Sequence, residues 1–153
     1  MTLIIDLLSN FTLIAVAVSW FLAQTLKVII YRREEGCWNL LHFLEAGGMP
    51  SAHSATVTAL TLSIGLSIGF DTALFTTCFV FALIVMYDAT GVRRAAGKQA
   101  ELLNKIVDDI YSTGKVRIEK LKELLGHDPI EVFAGASLAV FITLIVFYVY
   151  FIR

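Results

Sequence analysis

Apolar residues fall into four long runs. The first is Phe11 to Tyr31, interrupted only by Gln24 and Lys27 near its end. His53 to Phe70, rich in alanine, threonine, serine and glycine, is the second; Thr72 to Tyr87 is the third and Val132 to Ile152 the fourth. A helix rises about 1.5 Å per residue, so about 20 mainly apolar residues cross the roughly 30 Å of bilayer hydrocarbon. These runs predict four transmembrane helices. The second and third are short, and each is expected to extend a few residues into its flanks. Between the third and fourth runs, Leu102, Leu103, Ile106, Val107 and Ile110 recur at helical spacing, as do Ile118, Leu121, Leu124 and Leu125. Ser112, Thr113 and Gly114 separate the two sets. A helical hairpin over about residues 95–125 is expected there. It is either solvated or laid on the membrane with a basic face toward anionic headgroups. The expected fold class is all-α: one polytopic membrane helix bundle of four spans plus a cytoplasmic helical hairpin, with residues 1–153 as a single domain.

Composition agrees with this pattern. The apolar fraction is 58% before the ten glycines are counted, against roughly 45–50% with glycine included in a soluble domain. Charged residues are 16%, and mean hydropathy is +0.78. A water-soluble globule of 153 residues has too little interior for so much apolar surface. Asp6 stands where a signal peptide would carry Lys or Arg, so cleavage of a leader is not expected.

The net charge of −1 matters less than where the cations lie. Arg32 and Arg33 follow the first run. Arg93, Arg94, Lys98, Lys105, Lys115, Arg117, Lys120 and Lys122 lie between the third and fourth runs. With Lys27 just inside the same membrane face, eleven of the twelve cationic residues share one side, and only Arg153 emerges opposite. By the positive-inside rule both long loops are cytoplasmic and both termini outside. An integral protein of the plasma (inner) membrane is expected. The cysteines, Cys37 and Cys78, lie at different membrane levels and are expected to stay reduced, and no CxxC spacing suggests zinc. Nothing points to nucleic acid or a cofactor.

Polar residues concentrate at the cytoplasmic face. Lys27 lies about one turn before the first run ends, where a lysine can also simply snorkel. Gly47-Gly48-Met49-Pro50-Ser51-Ala52-His53-Ser54 leads into the second run. Such a sequence starts a helix, and a helix start also attracts anions, because its first N–H groups lack partners and the dipole favours negative charge. His53 stands on that first turn. Before the fourth run, Asp128, Pro129 and Glu131 make a capping box. That leaves His127, four residues before Glu131, whose carboxylate could hold one ring nitrogen and free the other to attack an electrophile. Arg93 and Arg94 follow the third run; they anchor the span or bind phosphate oxygens bidentately. His42 has no companion signature and reads as structural. Together these residues supply what phosphoryl transfer without a metal requires: cations, a nucleophile and an acid for the leaving group.

The chain resembles the type-2 phosphatidic-acid phosphatase and vanadium haloperoxidase superfamily, in particular its small divergent membrane branch. Pro50-Ser51-Ala52-His53 is similar to the superfamily's Pro-Ser-Gly-His block, with Ala for Gly. His127 with Glu131 matches His-x3-Asp in spacing, with Glu for Asp, and Lys27 followed by Arg32 or Arg33 resembles Lys-x6-Arg-Pro, shortened and without its proline. Arg93 or Arg94 stands for the arginine of the third block, here 33 positions before His127 counting from Arg94, so that the hairpin is inserted inside that block. Gly47 to Ser54, Asp88 to Asn104 and Leu124 to Gly135 look most like the divergent branch. The resemblance implies a lipid phosphatase: His127 as nucleophile forming a phosphohistidine, Glu131 orienting it, and His53 as the acid that becomes the base. Lys27, Arg32, Arg33, Ser51, Arg93 and Arg94 would bind the phosphate, and no metal or cofactor is implied. At headgroup depth on the cytoplasmic face, the substrate expected is a phosphatidylglycerophosphate- or phosphatidate-like lipid. The alternative is a lipid-phosphate-binding or transport-related membrane protein without turnover. Ala55, Ala59, Ser63 and Ser67 form a small-residue face that permits close helix packing within the chain or across a homodimer.

Overall fold

The computed structural model describes residues 2–44, 47–90, 99–107 and 128–152. In chain order the helices are α1 (Thr2–Leu8), α2 (Phe11–Glu35), α3 (Ala52–Ile68), α4 (Ala73–Thr90), α5 (residues 99–107) and α6 (Pro129–Phe151), with a 3-10 turn at Leu40–Phe43. No strand occurs among the described residues. Arg93, Arg94 and His127, and most of the expected 95–125 hairpin, lie outside the described residues.

Three helices, α2, α4 and α6, are long and apolar enough to cross a membrane. The expected second span is a shorter apolar helix of 17 residues, about 25 Å long. Its ends explain why it does not grow into its flanks. Ser51 caps the start, its Oγ accepting the Ser54 N–H at 3.3 Å, and Pro50 before it offers no N–H. At the other end Gly69, with φ of +104°, leaves the helical region. The third span does extend, running on to Thr90. Asn10 caps α2 through Leu13 N–H at 3.0 Å, and Gly36 ends it in the left-handed conformation (φ +74°), donating its N–H to Arg32 O.

α3 is the central helix and packs against α2, α4 and α6, while α2 also meets α6. Contact is through small residues: Ala23, Ala52, Ala55, Ala59 and Ala139 form the buried cluster. Lipid tails are as apolar as leucine, so helices associate through close van der Waals contact and interhelical hydrogen bonds. Both are present. A Cβ on Gly135 of α6 would run into the Ser51 carbonyl oxygen, so only glycine allows that approach. The Thr61 hydroxyl lies 2.8 Å from Val57 O and 3.1 Å from Cys78 O, joining α3 to α4. Of the small-residue face, Ala55, Ala59 and Ser63 are buried within the chain, and Ser67 is exposed.

The buried face of α2 repeats every fourth residue: Phe11, Ala15, Ser19, Ala23 and Lys27. At its N-terminal end Phe11 meets the rings of Phe147, Tyr150 and Phe151 at 5.3–5.7 Å, and Tyr150 donates its hydroxyl to Ser9 O. At the other end the chain reverses at Gly36, and Phe43 packs edge-on against Trp20 and Phe21 (5.5 and 5.7 Å). Phe21 lies about 21 Å along α2 from Glu35. The first loop therefore runs back beside α2 instead of standing off the bundle, with Leu41 and Leu44 exposed. In α5 the small and polar Ala100 and Asn104 are buried, whereas Leu102, Leu103 and Ile106 are exposed. That is the disposition of a helix whose apolar face meets lipid.

Candidate functional site

Two helix starts meet at one place. Ser51, the cap of α3, donates its backbone N–H to Glu131 O in the first turn of α6 at 3.0 Å. Gly135, one turn further along α6, lies against the Ser51 backbone. Ser51 and Ser54 are fully buried, and the Ser54 hydroxyl donates to Ser51 Oγ at 3.1 Å. Residues 80 positions apart in the sequence thus form one joint. The N-terminal dipoles of α3 and α6 both converge on it, and each favours a negative charge.

Ala23 belongs to the same buried cluster as Ala52 and Ala139, and Lys27 is one turn further along the same face of α2. Its side chain is 1% exposed. A snorkelling lysine would keep its ammonium in water, so the snorkelling reading is set aside. Gln24, also buried, has an Oε1 without a hydrogen-bond partner among the described residues, as do the hydroxyls of Ser19 and Thr143.

The other candidates divide. His53 is exposed on the first turn of α3. Glu131 is half-buried; its carboxylate accepts the Asp128 N–H at 3.3 Å, while Glu131 N–H bonds to Asp128 O at 2.9 Å. The helix start that the spacing predicted is therefore formed. Arg32 and Arg33 are exposed in the last turn of α2. The Arg32 guanidinium lies over the Trp38 ring at 4.0 Å, a cation–π contact on the outside of the bundle. Of the expected phosphate ligands, Lys27 and Ser51 are buried in the bundle, whereas Arg32 and Arg33 are exposed.

One contributor escapes a reading of the sequence. Tyr31, a further turn beyond Lys27, stacks on His42 (4.2 Å, 20° between planes). A Cβ on Gly48 would fall 2.8 Å from its hydroxyl oxygen, and Gly48 has φ of +81°. Tyr31 thus backs the Gly47–Pro50 approach to Ser51. Its spacing of four from Lys27 was the available signal; His42 carried none.

A bundle of apolar helices with a buried lysine and two helix starts joined by a backbone hydrogen bond defines the class, a helical membrane protein. The model of the Divergent PAP2 family matches residues 8–142, and the chain belongs to that family. It is 42% identical, over 94% of its length and 98% of the relative's, to the uncharacterized membrane protein YuiD of Bacillus subtilis (strain 168). No solved structure matches significantly.

Proposed function

We propose that this protein is a metal-independent lipid phosphate phosphatase working at the cytoplasmic membrane face. The observation that carries the reading is the Ser51 N–H to Glu131 O bond. It joins the two segments that resemble the family's second and third motif blocks, in a bundle that also buries Lys27. Family membership supports a phosphatase-like role.

In this mechanism the lipid phosphate sits against the first turn of α3, held by Lys27, Ser51 and Arg93 or Arg94, with Arg32 and Arg33 drawing it to the surface. His127, one residue before the Asp128 cap, attacks phosphorus through a ring nitrogen as the P–O bond to the lipid breaks. Glu131 holds the other ring nitrogen and balances the developing imidazolium charge. His53 gives its proton to the leaving alkoxide. It then takes a proton from water as the water oxygen attacks phosphorus and the P–N bond breaks. Inorganic phosphate and the free lipid alcohol leave. The lipid never has to quit the bilayer, which favours a phosphatidate- or phosphatidylglycerophosphate-like substrate.

The bond from Asp128 N–H to Glu131 favours a second reading, in which Glu131 is a structural cap and the pocket binds lipid phosphate without turnover. One assay separates the two. Detergent-purified protein is given phosphatidate and phosphatidylglycerophosphate with a chelator present, and phosphate release is measured. General acid–base groups typically contribute about 10²–10⁴-fold, so His53→Ala is expected to lose at least that order and His127→Ala more. Equal rates for wild type and His127→Ala would end the mechanism; binding without release would establish the second reading.

A further inference from the structure

We propose that the cleft between α4 and α6 seats one hydrocarbon chain of the lipid, and that Met86 divides it into two chambers that sense chain length. The inference rests on the lipid-phosphate reading of the adjoining site for the identity of the chain's owner.

α4 leans on α3 and meets α6 only sparingly. Between them a cleft of about 580 Å³ begins at Thr90, Pro129 and Val132 and is walled by Leu83, Tyr87 and Phe133. Pro129 is the first residue of α6, two before Glu131, so this chamber begins at the same end of α6 as the joint described above. Tyr87 and Phe133 are exposed, so the cleft faces the bilayer and a chain can slide in sideways. A second chamber of about 310 Å³ lies deeper, against Thr61, Phe79, Ala82, Ala136 and Val140. Met86 lines both.

The dimensions select the occupant. From Pro129 to Val140 α6 advances eleven residues, about 16 Å. That is half of the roughly 30 Å hydrocarbon core, the depth of one leaflet. A chain whose phosphate sits at the α3 and α6 starts would therefore run the length of both chambers and end near Val140. The lining offers such a chain almost no polar atoms, and Ala82 and Ala136 leave the deep chamber open. Methionine suits the passage because its unbranched side chain changes shape at little cost. A short chain fills only the outer chamber, whereas a long one must pass Met86.

The test measures binding and does not depend on turnover. The full-length protein in detergent is titrated with palmitoyl and octanoyl lysophosphatidate, and with monopalmitoylglycerol, by native mass spectrometry. Met86→Trp fills the passage, and Ala136→Leu fills the deep chamber from the opposite wall, guarding against a variant that merely misfolds. Each variant fills space that the long chain needs, so palmitoyl lysophosphatidate is expected to bind about fivefold more weakly or worse, with the octanoyl probe within about twofold of wild type. An unchanged ratio between the two, an equal loss of both, or no binding of any probe to wild type overturns the proposal. Monopalmitoylglycerol separates this from the site reading. If it binds as well as its phosphorylated counterpart and is lost in both variants, the chambers stand and the phosphate site fails. If only the phosphorylated probes bind but the variants leave them unmoved, the site stands and the chambers fail.

Discussion

At Gly135 a single missing carbon decides how closely two helices approach. A Cβ there would meet the Ser51 carbonyl oxygen, a backbone atom that cannot turn aside. Any larger side chain must push α6 from α3, breaking the Ser51 to Glu131 bond and opening the alanine cluster beneath it. Gly135→Val is expected to lower stability by about 1–3 kcal/mol, read as a drop in the thermal midpoint in detergent, whereas Ser137→Val, at an exposed position of the same helix, leaves it unchanged. Lys27 shows the converse economy. Its long side chain is withdrawn from solvent in a bundle otherwise packed with alanine and serine. Ionisable groups inside a membrane bundle are expensive and mark functional positions.

Among the elements, α3 is the one whose boundaries matter. Its 17 residues run from a serine cap to a glycine in an open backbone conformation, and its start falls at the joint. Ser51 does three things at once: it caps α3, receives the Ser54 hydroxyl and ties α6 through its backbone. Ser51→Ala removes the first two and keeps the third. The loss of a cap costs about 1 kcal/mol, so the variant is expected to fold with a slightly lower thermal midpoint. Collapse of the fold on that substitution would show that the hydroxyl, not the backbone, holds the joint. The reversal at Gly36 belongs to the same scale. It sends the first loop back along α2 until Phe43 reaches Trp20, and sets Tyr31 and His42 behind Gly48.

The whole molecule has a polarity along its axis. Aromatic rings gather around Phe11 at one end, and the arginines of α2 and the starts of α3 and α6 gather at the other. By the positive-inside rule the second end is expected to face the cytoplasm. Cys37, exposed just beyond α2, reports this directly. A membrane-impermeant maleimide is expected to label Cys37 in inverted vesicles and not in right-side-out ones, with Cys78, inside α4, unlabelled in both. Labelling of Cys37 only in right-side-out vesicles would reverse the orientation and move the site to the outer face.

The sequence alone determined the all-helical membrane architecture, because apolar run length is a direct consequence of hydrocarbon thickness. It also located the two helix starts, since Ser51 with Pro50, and Asp128 with Pro129 and Glu131, satisfy orphan N–H groups locally. Span ends were less legible. The second run looked extensible, yet its cap and Gly69 fix α3 at 17 residues, and α1 was not anticipated from so short a segment. Which residues meet was a tertiary decision. Lys27 read equally well as a snorkelling anchor until the fold buried it, and nothing in the order of residues sets Arg32 on Trp38 or Tyr31 behind Gly48. Local pattern fixes what each segment must bury, whereas the partner against which it is buried depends on close approach of backbones, here permitted by glycine and alanine at the few positions where three helices touch.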